Sequence, residues 1–195
     1  MKKLLPWIVF LGIIAIIALW AVNVYNGLVE QQESVENAWA QVENQYQRRA
    51  DLVPNLVATV KGYASHEQET LEGVINARAK ATQITIDLTN ATPEQLAAYQ
   101  AAQGELSQAL GRLLAVAENY PDLKANENFR DLQAQLEGTE NRITTARQVF
   151  NDEARQYNTN IRRFPKNIIA GMFGFEKKPY FEAEEGANKA PKVEF

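Results

Sequence analysis

The sequence predicts an all-α chain: an N-terminal transmembrane helix followed by long helices that pack on one another. Three observations predict it. Residues 4–24 run for 21 positions without a formal charge. Apolar side chains then recur in alternating steps of four and three along most of the remaining chain. Prolines and capping residues punctuate that rhythm where hairpin turns would be needed for a sheet.

The uncharged stretch is long enough to cross a bilayer, since 21 residues at about 1.5 Å each reach roughly 31 Å, against a hydrocarbon core of ~30 Å. Twelve Leu, Ile, Val or Phe lie between Leu4 and Val22, and together they favour insertion by roughly 4 to 7 kcal/mol with no charge opposing them. Trp7 and Tyr25 stand about 27 Å apart along the helix, one near each interface. Lys2 and Lys3 precede the run and no basic residue follows until Arg48, which orients the amino terminus to the cytoplasm and the rest outside. The rival reading, a cleaved signal peptide, requires a shorter apolar core and an A-x-A-like site; Ala18-Leu19-Trp20-Ala21 supplies no such pair. An uncleaved single-pass anchor in the inner or cytoplasmic membrane is therefore expected, with the body on the periplasmic or extracytoplasmic side.

The 195 residues carry a net charge of -4 with a pI of about 5.2, which excludes a broadly basic surface and makes nucleic acid an unexpected partner. Cysteine is absent, so disulfides, thiolate nucleophiles, Cys-ligated metals and a lipidated cysteine are all excluded.

Past the anchor, Val35, Trp39, Val42, Tyr46, Arg49, Val53, Leu56, Val60, Tyr63, Glu67, Leu71, Val74 and Arg78 keep a 3-4 beat without a slip, a coiled-coil-like seam. Arg49, Glu67 and Arg78 interrupt its apolar positions, which favours packing on helices of the same chain, with a homo-oligomer left open. Pro54 lies inside the run and costs a helix interior about 3 kcal/mol. The unbroken phase and the lack of turn residues around it favour a kink; a break would give four helices of comparable length. A kink would carry the C-terminal segment far from the membrane, whereas a break would return it there.

The alternation in Ile84-Thr85-Ile86-Asp87-Leu88-Thr89 has no partner run, and reads as a frayed helix end and a loop. Thr92-Pro93-Glu94-Gln95 is a capping box with proline at the first helical position. The helix it starts carries Leu96, Tyr99, Gln103, Leu106, Leu110, Leu113, Ala117 and Tyr120 in 3-4 steps and stops at Pro121. A last long helix carries Phe129, Leu132, Leu136, Thr139, Ile143, Ala146, Phe150, Ala154, Tyr157, Ile161 and Phe164, with a stutter near Glu153, and stops at Pro165. Four units follow from this reading: 1–27 as cytoplasmic stub and anchor, 28–164 as helical bundle, 165–181 as an apolar docking or interfacial segment, and 182–195 as a disordered tail.

Several blocks carry a resemblance. Arg48-Arg49-Ala50-Asp51-Leu52-Val53-Pro54-Asn55-Leu56-Val57, with Val60-Lys61-Gly62-Tyr63-Ala64-Ser65-His66-Glu67 and Ala77-Arg78, resembles the LemA family. So do Tyr120-Pro121-x-Leu123-Lys124-Ala125-Asn126-x-x-Phe129, Leu136-Glu137-Gly138-Thr139-Glu140-Asn141-Arg142-Ile143, Ala146-Arg147, Tyr157-Asn158, Phe164-Pro165 and Gly174-Phe175. The likeness runs from the anchor to about Phe181; Phe150-Asn151 departs from it, standing where Tyr-Asn is usual. The resemblance implies a bacterial membrane-anchored protein with an elongated antiparallel up-and-down bundle of four helices and no established enzymatic activity. It thus favours a break at Pro54.

Residues with chemistry are few. His66 is the single histidine, and His66-Glu67-x-x-Thr70 lacks the second histidine of a zincin site; a surface helix explains it better than a metal site or a catalytic base. Arg48, Arg49 and Asp51 offer an oxyanion clamp or, as the favoured reading, an ion-pair network reached by Glu137, Glu140 or Arg142. Arg162, Arg163 and Lys166 suit anionic lipid or a solvated helix end. Asn141, Asn151, Asn158 and Asn160 suit register fixing. No catalytic residue, cofactor or metal is expected. The expected function is a membrane-anchored interaction or scaffold protein of the cell envelope, with envelope or membrane proteins and the bilayer as partners. The alternatives are lipid contact through 166–181, with Phe173 and Phe175 as anchors, and a hydrolase dependent on His66 and Glu67.

Overall fold

A computed structural model describes residues 5–182, and among these the chain is all-α, without a strand. The helices are α1 (Leu5–Tyr63), α2 (Gln68–Gln83), α3 (Pro93–Ala117), α4 (Pro121–Ala125), α5 (Glu127–Arg162) and α6 (Lys166–Phe173). Lys2, Lys3 and all of the expected tail except Glu182 lie outside the described residues.

Four of these helices form the bundle, each antiparallel to the next. Gln31 meets Asn160, Trp39 meets Phe150, and Arg49 meets Glu140, so α5 descends as α1 rises. Lys80 meets Glu105 and Ala81 meets Gln103, which sets α2 against α3 in the same sense. The connections are short, and short connections leave consecutive helices as neighbours.

Pro54 does not break the chain. α1 passes through it as one helix of 59 residues, and the reversal comes at 64–67 instead, inside the stretch where the seam predicted continuous helix to Arg78. The 3-4 beat survives this turn because four residues are close to one helical turn of 3.6, so the apolar phase re-enters α2 almost unchanged. The C-terminal segment thus returns to the end of the bundle nearer the apolar stretch without any break at Pro54. At the other prolines, Pro121 and Pro165 both end one helix and lead into the next short one.

The predicted cap forms: Thr92 Oγ1 accepts the Gln95 N–H at 3.2 Å and Gln95 Oε1 accepts the Thr92 N–H at 2.9 Å. Asn126 caps α5 in the same way, its Oδ1 accepting the Phe129 N–H at 3.0 Å. Gly174 closes α6 in the left-handed region, φ 73°, which a residue with a Cβ adopts only with strain. There the Phe175 N–H turns back to Ala170 O at 3.0 Å, and the chain leaves α6 as an extended strap over 175–182.

Every residue from 7 to 20 of α1 is exposed, whereas Val24, Leu28, Val35, Trp39, Val42 and Tyr46 further along the same helix are buried. The core falls into two clusters. One, nearer the apolar stretch, holds Trp39, Tyr46, Tyr99, Phe150, Tyr157 and Phe181; the other holds Leu56, Val60, Leu106, Leu113, Phe129 and Leu136. α2 is too short to flank the first cluster, and the extended chain does so in its place. Ile84, Ile86 and Leu88 turn inward while Thr85, Asp87 and Thr89 stay exposed, so the alternation in the sequence reports an extended segment with one face on the core, not a sheet. The strap brings Phe181 in beside it.

Candidate functional site

The two apolar clusters meet at a polar layer centred on Arg49, which is 1% exposed. Its Nη1 donates to Ser107 Oγ at 2.6 Å and to Glu140 Oε1 at 3.0 Å, and its Nη2 to the backbone O and side-chain Oε1 of Gln103 at 3.0 and 2.6 Å. Gln103 Nε2 donates in turn to Ala81 O at 3.2 Å. One guanidinium thereby ties α1 to α3 and α5 directly and to α2 through Gln103, with the Tyr46 ring 5.1 Å from its Cζ. A buried charge is costly unless it is paired and hydrogen-bonded; the fork geometry of arginine meets three partners at once. The chemistry of this layer is register: slide any helix by one turn and the cation loses its acceptors.

Arg48 and Asp51 do not join Arg49 in a clamp. Both are exposed, and Asp51 accepts from Gln47 Nε2 at 2.8 Å, one turn earlier on α1. Of Glu137, Glu140 and Arg142, Glu140 is the residue that reaches Arg49. His66 sits exposed in the 64–67 turn. Glu67, beside it, accepts the Tyr120 hydroxyl at 3.0 Å, and this bond raises the pKa of the phenol. The pair fastens the turn after α1 to the turn before α4, at the end of the bundle remote from the apolar stretch.

The strap is held by side-chain amides. Asn158 donates to Lys178 O and accepts the Lys178 N–H, both at 2.8 Å. Asn151 does the same for Phe181, at 3.0 and 2.9 Å. Seven residues of helix and three of extended chain each cover roughly 10 Å, so two asparagines a heptad apart on α5 meet every third residue of an antiparallel strap. Arg147 and Gln100 then both donate to Glu182 O. Phe181 stacks on Trp39 with centroids 5.7 Å apart. Lys178 is buried, its Nζ donating to Leu88 O at 3.1 Å, and that burial lowers its pKa.

Beside the strap, at the end of the bundle nearer the apolar stretch, α6 lies across α1 and α5. Ile169 and Ala170 are buried, and the Phe173 ring meets Tyr25 at 4.8 Å between centroids. Phe175 also packs on Tyr25, at 5.6 Å, and is half-buried. Arg162 and Arg163 are exposed and Lys166 half-buried. The segment expected to act as a unit over 166–181 therefore divides: α6 keeps an outward apolar face, while Lys178 and Phe181 belong to the bundle.

Sequence reasoning named Glu140 as a partner of Arg49 but missed the partners on α3. Gln103 and Ser107 fall on the helix facing Arg49, and a lone glutamine at a core position of an otherwise apolar stripe was their one visible trace. The strap had a clearer signal, because Phe150-Asn151 and Tyr157-Asn158 repeat an aromatic-asparagine pair at heptad spacing: the ring enters the core and the amide beside it holds the strap.

The sequence is similar to that of several known proteins. Magnetosome protein MamQ 2 of Paramagnetospirillum magneticum is 28% identical over 202 residues, covering 93% of this chain and 72% of that protein. Magnetosome protein MamQ of Magnetospirillum gryphiswaldense is 27% identical over 188 residues, covering 86% and 67%. Protein LemA of Metamycoplasma hominis is 26% identical over 160 residues, covering 82% and 69%. The family description LemA family matches residues 38–195, and the chain belongs to the LemA family.

Proposed function

We propose that this LemA-family chain is a membrane-anchored interaction module of the bacterial envelope, working by contact and without catalysis, its bundle on the extracytoplasmic side. The observation that carries the reading is the continuity of α1: one helix is exposed and apolar over 7–20, long and apolar enough to cross a membrane, and then becomes the central helix of the bundle. Two of the groups that would serve chemistry, Arg49 and Glu67, are engaged in holding helices. Arg49 is consumed by Gln103, Ser107 and Glu140, and Glu67 by Tyr120.

The test is a photo-crosslinking residue placed at exposed Arg48 or Arg112 in the full chain, irradiated in intact membranes. Discrete protein adducts support the reading; adducts absent from both positions overturn it. The side of the membrane is tested separately through Ala58→Cys, a unique thiol in a chain without cysteine. Labelling by an impermeant maleimide on intact cells supports an extracytoplasmic bundle, and labelling only after lysis overturns it.

A further inference from the structure

We propose that α6, with Phe164 just before it, lies in the headgroup layer of the same bilayer that α1 crosses and binds anionic lipid there. The inference rests on the anchoring read above and adds a second, peripheral contact. α6 is apolar on two sides. One side, Ile169 and Ala170, is covered by the bundle; on the other, Ile168 and Met172 stand one helical turn apart, 51% and 72% exposed, and Phe164, just ahead of the helix, is 81% exposed. An apolar helix face is ordinarily covered, by protein or by lipid.

Height and charge identify what covers it. Phe173 packs on Tyr25, which stands at the end of the exposed apolar stretch of α1, where a tyrosine suits the boundary between hydrocarbon and water. α6 thus stands at the level along α1 where the exposed apolar stretch ends. Around α6 in the chain stand the bases Arg162, Arg163, Lys166 and Lys177, against Glu176 as the acid in the same stretch; Arg162, Arg163 and Lys177 are exposed and Lys166 is half-buried. Long cationic side chains lay their stems on apolar surface and keep their charges among the headgroups, and each basic residue near an anionic surface favours it by about fivefold. An apolar helix with a basic margin at this level fits an acidic lipid surface.

The full chain is reconstituted into vesicles of phosphatidylcholine with phosphatidylglycerol, carrying one environment-sensitive probe at Met172→Cys, Ala58→Cys or Ile14→Cys. The expected result is quenching of the residue-172 probe by spin-labelled lipid and several-fold weaker quenching by aqueous iodide than at residue 58. Replacing Arg162, Arg163 and Lys166 by Gln reduces the lipid quenching, as does omitting phosphatidylglycerol. A residue-172 probe as open to iodide as the one at 58 overturns the proposal. So does a probe shielded from both quenchers, which assigns the face to a second copy or another protein; quenching insensitive to phosphatidylglycerol overturns the anionic preference. Absence of lipid quenching at residue 14 overturns the anchor itself, a failure distinct from one confined to residue 172.

Discussion

Arg78 Nε donates to the carbonyl of Ala50 at 2.8 Å, and Ala50 is the residue whose carbonyl Pro54 leaves without its helical N–H. A proline inside a helix removes the bond to the residue four positions earlier; here a guanidinium from α2 takes the vacant place, and a local defect in α1 becomes a point of attachment between two helices. Arg78→Met is expected to destabilise the bundle by about 1–3 kcal/mol, the cost of a polar group left without its partner. In a Pro54→Ala background the new N–H satisfies Ala50 O, and the same Arg78 substitution costs roughly 1 kcal/mol less. A double-mutant cycle by chemical denaturation measures the coupling; additive losses contradict it.

Arg49→Met removes one partner from each bond of the buried layer and is expected to cost about 3–5 kcal/mol. Arg49→Lys recovers little of this, because an ammonium cannot present a planar fork to Gln103, Ser107 and Glu140 together. Glu140→Gln costs less, about 1 kcal/mol, since its side chain is 39% exposed and solvent screens the pair. Thermal unfolding followed by circular dichroism ranks the three; equal losses for Arg49→Lys and Glu140→Gln would count against the fork.

Asn158→Ala removes both clamps on Lys178 and is expected to weaken strap docking by about 2 kcal/mol. Hydrogen exchange over 175–182 then accelerates by roughly 30-fold, with the distal cluster around Leu113 unchanged. Asn151→Ala gives the same pattern through Phe181. Acceleration spread over the whole bundle instead would make these asparagines general stabilisers.

Lys178 gives the chain a pH signature. Burial lowers its folded-state pKa below the ordinary 10.5, partly offset by Glu36, Asp87 and Glu176. Between the lowered value and 10.5 the unfolded state binds more protons than the folded one, so stability rises with pH across that window and falls as pH drops through the lowered value. Wild-type protein should therefore gain on Lys178→Met as the pH is raised from neutral toward 10.5, in paired melts. A constant difference would mean that Lys178 titrates alike in both states.

The all-α fold, the capped start at Pro93 and the exposed apolar stretch at the head of α1 were legible in the sequence because each rests on local composition, periodicity and capping chemistry. The turn at 64–67 was not: Ala64-Ser65-His66-Glu67 keeps the phase of the seam, and Pro54, ten residues earlier, is the stronger helix breaker. What restrains Pro54 is Arg78, 24 residues on, a tertiary partner that no local pattern reveals. Ion pairing of Arg49 was legible in kind, with Glu140 among its three expected partners, yet the burial of the layer depended on which faces of three helices converge. Phe175 was read as a lipid anchor from composition; in the fold half of it is covered, and Phe164 and Met172 present the open surface instead.

With the apolar end of α1 seated in a bilayer, its unbroken passage into the bundle makes the molecule a stiff lever. About 38 residues separate Tyr25 from Tyr63, a reach of roughly 57 Å. A span that leans by about 20°, as single helices do to match the thickness of their membrane, swings the His66 turn sideways by roughly 20 Å. Bilayer thickness thereby becomes a setting for where the distal tip stands and which neighbours fall within its arc.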